Sequence, residues 1–282
     1  MKFAITQLSV VTVRAHSGHR SEQVTQLLFG DLVEILFQKG KSWTKIRCEW
    51  DNQIGWVQAS QLIPVREEQA TQYRDNFAYV LDLMAPVMTD VYTSPVTMGA
   101  KLRNFDGLRF ESNDTFYSFS GQAVFPEQLR PTAALTVKLA RRLLHAPYQW
   151  GGRSPLGVDA AGFTQLVFGM LNIPLPRFPN GQVHQGETVD FVVQSRAGDL
   201  AFFENKAGNI AHVGIILPDQ QIIHASGQVR IDKIDHFGIF NDQTKKYTHR
   251  LRLVKRVLPI IEEATQPNIQ KTTERYRQMS FF

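Results

Sequence analysis

YQWGGRSPLGVDAAGFTQLVF, residues 148–168, is the stretch whose reading decides the fold of this chain. Its first half is turn chemistry: Gly151, Gly152, Ser154, Pro155 and Gly157 follow Tyr148 and Trp150. From Ala161 onward Phe163, Leu166, Val167 and Met170 recur at helical spacing, so the loop feeds an apolar helix. Such a loop aims the free N–H groups and the positive dipole end of the helix at whatever occupies its first turn. This chain has Ala160 in that place.

The stretch resembles the active-site segment of the NlpC family of papain-like cysteine peptidases. The family pattern runs roughly Y-x-W-G-G, R-S-P-x-G and D-C-S-G-F. Here the last motif reads Asp159-Ala160-Ala161-Gly162-Phe163, with alanine at the position of the family's nucleophile. The resemblance implies an α+β papain-like domain over residues 131–256. A helix opens at Pro131-Thr132-Ala133, the segment above follows, and then come strands at 197–203, 212–217, 221–227 and 250–256.

Papain-like chemistry needs a thiolate, a histidine to take its proton and a third group to orient the imidazole. His212, in A-H-V-G-I, matches the base of the family, and His224, in I-I-H-A-S-G, matches the orienting residue one strand on. A pair of strand histidines taken alone is more often structural; the motif order favours the site. With no third ligand at a telling spacing, no metal is expected, nor any other cofactor. Tyr148 matches a tyrosine that helps polarise the scissile carbonyl, or it packs the loop. Arg153 and Asp159 match loop positions, Asp159 towards the amino terminus of a peptide, and Glu22 would hold the same amine from the N-terminal domain. Solvated salt bridges are the plainer reading of these three. Ser226, beside His224, belongs to the same ligand-binding set.

Ala160 excludes covalent acyl transfer at its own position. Ala161 replaces a serine, and Phe178, after Leu175-Pro176-Arg177, stands where the family commonly has aspartate. Three changes at one site fit natural decay or reuse better than one engineered knock-out. Thr164, one turn along, is a poor substitute nucleophile because it sits a turn away from the histidine.

Outside this region, short strands at 9–14, 26–28, 32–38, 43–50 and 55–58 alternate with tight turns and resemble a bacterial SH3-like barrel over residues 1–63. The phrase GHRSEQVTQL at 18–27 resembles the first-barrel signature of the γ-D-glutamyl-L-diamino acid endopeptidases, which trim murein peptides. Cys48, on the face of Ile46, reads as a buried small hydrophobe, and Trp43 and Trp50 as barrel packing rather than a sugar platform. Residues 64–76 read as a polar connector. Residues 77–130 read as a second barrel with an insertion around 79–91, and 257–282 as a tail that frays or docks its last aromatics.

The chain has 282 residues, 43% hydrophobic and 20% charged, which is enough for two or three small domains with ordinary cores. The net charge of +5 is spread without a basic run, so nucleic acid is not expected as a partner. No apolar run spans a membrane, the N-terminus alternates like a strand rather than a signal peptide, and one cysteine excludes an intramolecular disulfide. These fit a cytoplasmic bacterial protein, or an exported one with its leader removed. The functional expectation is a pseudoenzyme that binds a murein-derived peptide or an altered ligand. The alternatives are an inactivated form of a working murein endopeptidase, or a cell-wall or protein interaction module.

Overall fold

The computed structural model describes residues 2–190 and 192–259. Its N-terminal part is a seven-stranded antiparallel sheet running from Phe3–Ile5 to Ile63–Val65. Strand Trp43–Cys48 shows why it forms: Thr44, Ile46 and Cys48 point inward while Trp43, Lys45 and Arg47 stay partly solvated. Cys48 is fully buried beside Val11, Val33 and Val57. Trp43 packs edge-on against His19, whereas Trp50 lies under the guanidinium of Arg153, 4.2 Å away.

Residues 64–76 are more than a connector. Ile63–Val65 is the last strand of the first sheet, and Glu67–Asp75 is a helix, α1. Its composition is polar because one narrow face is buried: Ala70 and Tyr73, three residues apart, cover Phe3, Ile5 and Val65. The expected insertion at 79–91 is also strand. Phe77–Val80 and Met84–Met88 belong to two small sheets of three and four strands that fill the middle of the chain.

The C-terminal part supplies α2 (Ala133–Arg142), α3 (Ala160–Met170), the short α4 (Pro179–Gln182) and a seven-stranded antiparallel sheet. Thr132 caps α2 by accepting the Leu135 N–H at 3.2 Å, and Arg141 and Arg142 face its C-terminal carbonyls. Every residue of α3 except Gly169 is buried, as a central helix requires. In the sheet Leu200 and Phe202 face α3, while Ala201 and Phe203 face a second core with Ile216 and Ile222. Burial on both faces explains the unbroken apolar run Leu200–Glu204 begins with. Pairing of Gly238–Asn241 with Lys246–Arg256 then closes the sheet on itself.

One apolar core joins the three parts. Leu28 and Phe29 of the first sheet meet Phe110 and Tyr117 of the middle sheets, and the same cluster runs on to Phe163 and Leu166 of α3. No described helix is long and apolar enough to cross a membrane. The aromatic-docking reading of the tail falls on residues 260–282, outside those described.

Candidate active site

The loop before α3 is pinned to the first sheet. Trp150 Nε1 donates to Glu22 Oε1 at 2.7 Å, and Gln23 Nε2 donates to the Trp150 carbonyl at 3.0 Å. Gly151 between them has φ +71°, and a Cβ there would sit 2.3 Å from the Gln23 carbonyl oxygen, so the approach admits only glycine. Glu22, expected to hold a peptide amine, here has one of its oxygens taken by the indole.

Asp159 caps α3 by accepting the Gly162 N–H at 2.7 Å, and it also accepts Gly151 N–H at 2.9 Å. Arg177 grips both its oxygens, at 3.0 and 2.6 Å, from a buried position. The carboxylate therefore borders the cleft with its lone pairs engaged and its charge matched. Ala160 begins the helix, 6% exposed, and shares a cleft of about 70 Å³ with Tyr148, Ala161, Phe178 and His212. Tyr148 is 39% exposed there, its phenol pushed up by partial burial and by Asp159.

His212 comes from strand Ile210–Leu217 and His224 from Gln221–Ser226, on the face that carries Ile216 and Ile222. His212 Nε2 lies 2.9 Å from His224 Nδ1, and His224 Nε2 lies 3.0 Å from Asp232 Oδ2. We assign His224 as the Nε2–H tautomer donating to Asp232, which leaves its Nδ1 to accept from His212 Nε2–H. The Nδ1 of His212 is then free to accept a proton. Arg230 holds Asp232 through two bonds of 2.7 and 2.8 Å. Burial pushes the Asp232 carboxyl up, but hydrogen bonds from His224 and Arg230 outweigh it and hold the group below its ordinary value. Burial, helped by the neighbouring imidazoles His249 and His224, keeps His212 well below the usual histidine range.

Two expectations need correcting. Arg153 does not line this cleft: it is buried, its Nε donates to the Gln26 carbonyl at 3.1 Å, and its guanidinium pairs with Asp31 of the first sheet. It faces a separate cavity behind α3, beside Trp50 and Lys101. The absence of a third histidine is also overturned. His249, from strand Lys246–Arg256, stacks on His212 with ring centres 4.1 Å apart, so three imidazoles converge. Burial and His224 lower His249 to about 4. Ser226 lines the larger cleft of about 1730 Å³ that opens beside His212 and His249.

Asp232, His249 and Arg177 escaped the sequence reading. Asp232 and Arg230 share a face of one strand, and so does the alternation around His249, but neither pattern names the strand opposite. Thr164 is excluded by packing: it is fully buried, its hydroxyl 2.7 Å from Gln182 Oε1 and 3.0 Å from the Ala161 carbonyl.

Comparison with known proteins matches two parts of this chain to described families. The NlpC/P60 family model matches residues 145–251, and a model described as the bacterial dipeptidyl-peptidase Sh3 domain matches residues 13–62. A probable endopeptidase of Haemophilus influenzae is 33% identical over 138 residues, which is 48% of this chain and 83% of that protein. The probable endopeptidase p60 of Listeria welshimeri is 38% identical over 100 residues, 35% of this chain, but the match spans only 19% of the Listeria protein. A crystal structure of an NlpC/P60 family protein from Bacillus cereus shares the fold at a TM-score of 0.78, with 20% identity, covering 91% of this chain and all of that one. An N-terminal SH3-like domain followed by this catalytic-type fold, together with a relative matched over most of its length, places the chain in the NlpC/P60 family.

Proposed function

We propose that this chain binds a murein-type peptide, or a ligand derived from that class, in the cleft beside α3 without cleaving it. The observation that carries the reading is Ala160, a methyl group at the head of α3 on the cleft that His212 also lines. Covalent acyl transfer needs a nucleophile at that point, and binding does not. Cys48 is no substitute: it is buried in the first sheet, and burial pushes its thiol well above the ordinary range. The family match, and the resemblance of residues 18–27 to the first barrel of the γ-D-glutamyl-L-diamino acid endopeptidases, support a murein peptide. Ala161 and Phe178 favour a more apolar ligand than a family member with serine and aspartate there would take.

A second reading has its own support. The run from His212 through His224 to Asp232 is complete, which favours a working endopeptidase silenced at a single residue. Mass spectrometry and calorimetry with an L-Ala-γ-D-Glu-diaminopimelate peptide separate the two. For the unaltered chain we expect no cleavage and saturable binding with Kd below about 1 mM. Cleavage by the unaltered chain, or no binding at millimolar peptide, defeats the proposal. Cleavage restored by Ala160→Cys alone favours the second reading; binding without restored cleavage favours a remodelled pocket.

A further inference from the structure

We propose that His212, His224 and His249 form a binding site for a divalent first-row transition metal of the zinc class, with Asp232 orienting His224 towards it. The three rings come from three strands of one closed sheet, and one nitrogen from each lies within 4.8 Å of the others. His212 Nε2 and His224 Nδ1 are 2.9 Å apart. Two nitrogens bound to tetrahedral zinc at about 2.0–2.1 Å sit roughly 3.3 Å apart, so the ion enters with a small opening of this pair and a rotation of His249 off its stack on His212.

The surroundings suit imidazole ligation. A metal-bound histidine commonly donates its other ring N–H to a carboxylate, and His224 Nε2 already stands 3.0 Å from Asp232 Oδ2. Arg230 fixes that carboxylate in turn. His249 Nδ1 is 2.9 Å from Thr248 Oγ1; donating there leaves its Nε2 lone pair for the ion. Coordination through His212 Nε2 moves that ring's proton to Nδ1, so no net proton is lost. Nitrogen ligands alone select zinc, copper, nickel or cobalt over magnesium and calcium. His212 and His249 line the large cleft, so a fourth position opens to water or to a carboxylate of a bound ligand. A cysteine opposite His212 would hold its imidazole as an ion-pair partner; with Ala160 there, the ring is free for a metal.

The test uses the tag-free full chain, stripped with chelator and titrated with Zn²⁺ and Co²⁺. We expect one equivalent bound with Kd of about 1 µM or tighter. Asp232→Asn should weaken binding roughly 10–100-fold, and His249→Gln should weaken it at least as much. Zinc K-edge absorption of the unaltered chain should give a shell with three imidazoles at about 2.0–2.1 Å. That measurement decides the matter even if a variant misfolds. No stoichiometric binding, a shell with fewer than three imidazoles, or affinity unchanged in a folded His249→Gln variant overturns the site. The readouts are metal content and coordination, so their failure leaves the peptide-binding reading standing.

Discussion

At the scale of single residues, Tyr79 secures a contact between the middle sheets and α3. Tyr79 is buried in the middle sheets, and its hydroxyl donates to the Gly169 carbonyl of α3 at 3.1 Å. Burial raises its phenol to about 12. A tyrosine whose folded pKa is raised contributes stability that is complete below the unfolded value of about 10 and is lost as pH rises towards 12. Tyr79→Phe is therefore expected to cost about 0.5–1.5 kcal/mol at pH 7, the worth of one hydrogen bond. The gap between variant and unaltered chain should close between pH 10 and 12. Urea melts across that range check it; a constant gap would show that the phenol ionises as freely in the fold as outside it.

At the scale of elements, the head of α3 depends on one carboxylate serving two masters. Asp159 caps the helix and neutralises Arg177, whose side chain is 1% exposed. Asp159→Ala removes the cap, typically about 0.5–2 kcal/mol, and strands a buried guanidinium, about 3–5 kcal/mol. We expect a loss near the larger figure. Asp159→Asn keeps the cap and still strands the charge, so it should recover only a small part. Equal stability of Asp159→Asn and the unaltered chain in chemical denaturation would show that Arg177 does not need its partner.

At the scale of the whole molecule, the first sheet and the C-terminal part meet through a buried ion pair as well as the shared core. Asp31 is fully buried; burial would raise its carboxyl, but Arg153 and Lys101, whose Nζ is 3.3 Å away, hold it below its ordinary value. Arg153→Ala leaves that carboxylate short of its main partner and is expected to destabilise the chain by about 3–5 kcal/mol. Adding Asp31→Asn should return part of the loss, because the second change removes the stranded charge. Additive losses in thermal or urea unfolding would mean that the two side chains are not coupled. Since Leu28 and Phe29 lie in the same cluster as α3, the described parts should unfold in one transition.

Local chemistry determined much of this. The glycine-punctuated loop and the apolar period after it specified α3, though not Asp159 as its cap, and strand alternation marked the first barrel and the inward face of Cys48. The family resemblance, rather than any local period, paired His212 with His224 and set Ala160 against them. Tertiary structure decided the rest. His249 reaches His212 because Lys246–Arg256 and Ile210–Leu217 pair with opposite edges of Leu200–Glu204, with register shifts that no single strand announces. Arg153 looked like a ligand-facing loop residue, yet its partner Asp31 lies 122 positions away, in the turn before strand Leu32–Lys39. α1 read as a connector because a helix with one narrow buried face has the composition of a loop. Contacts between distant segments depend on which faces the chain brings together, and a linear pattern records the faces without their partners.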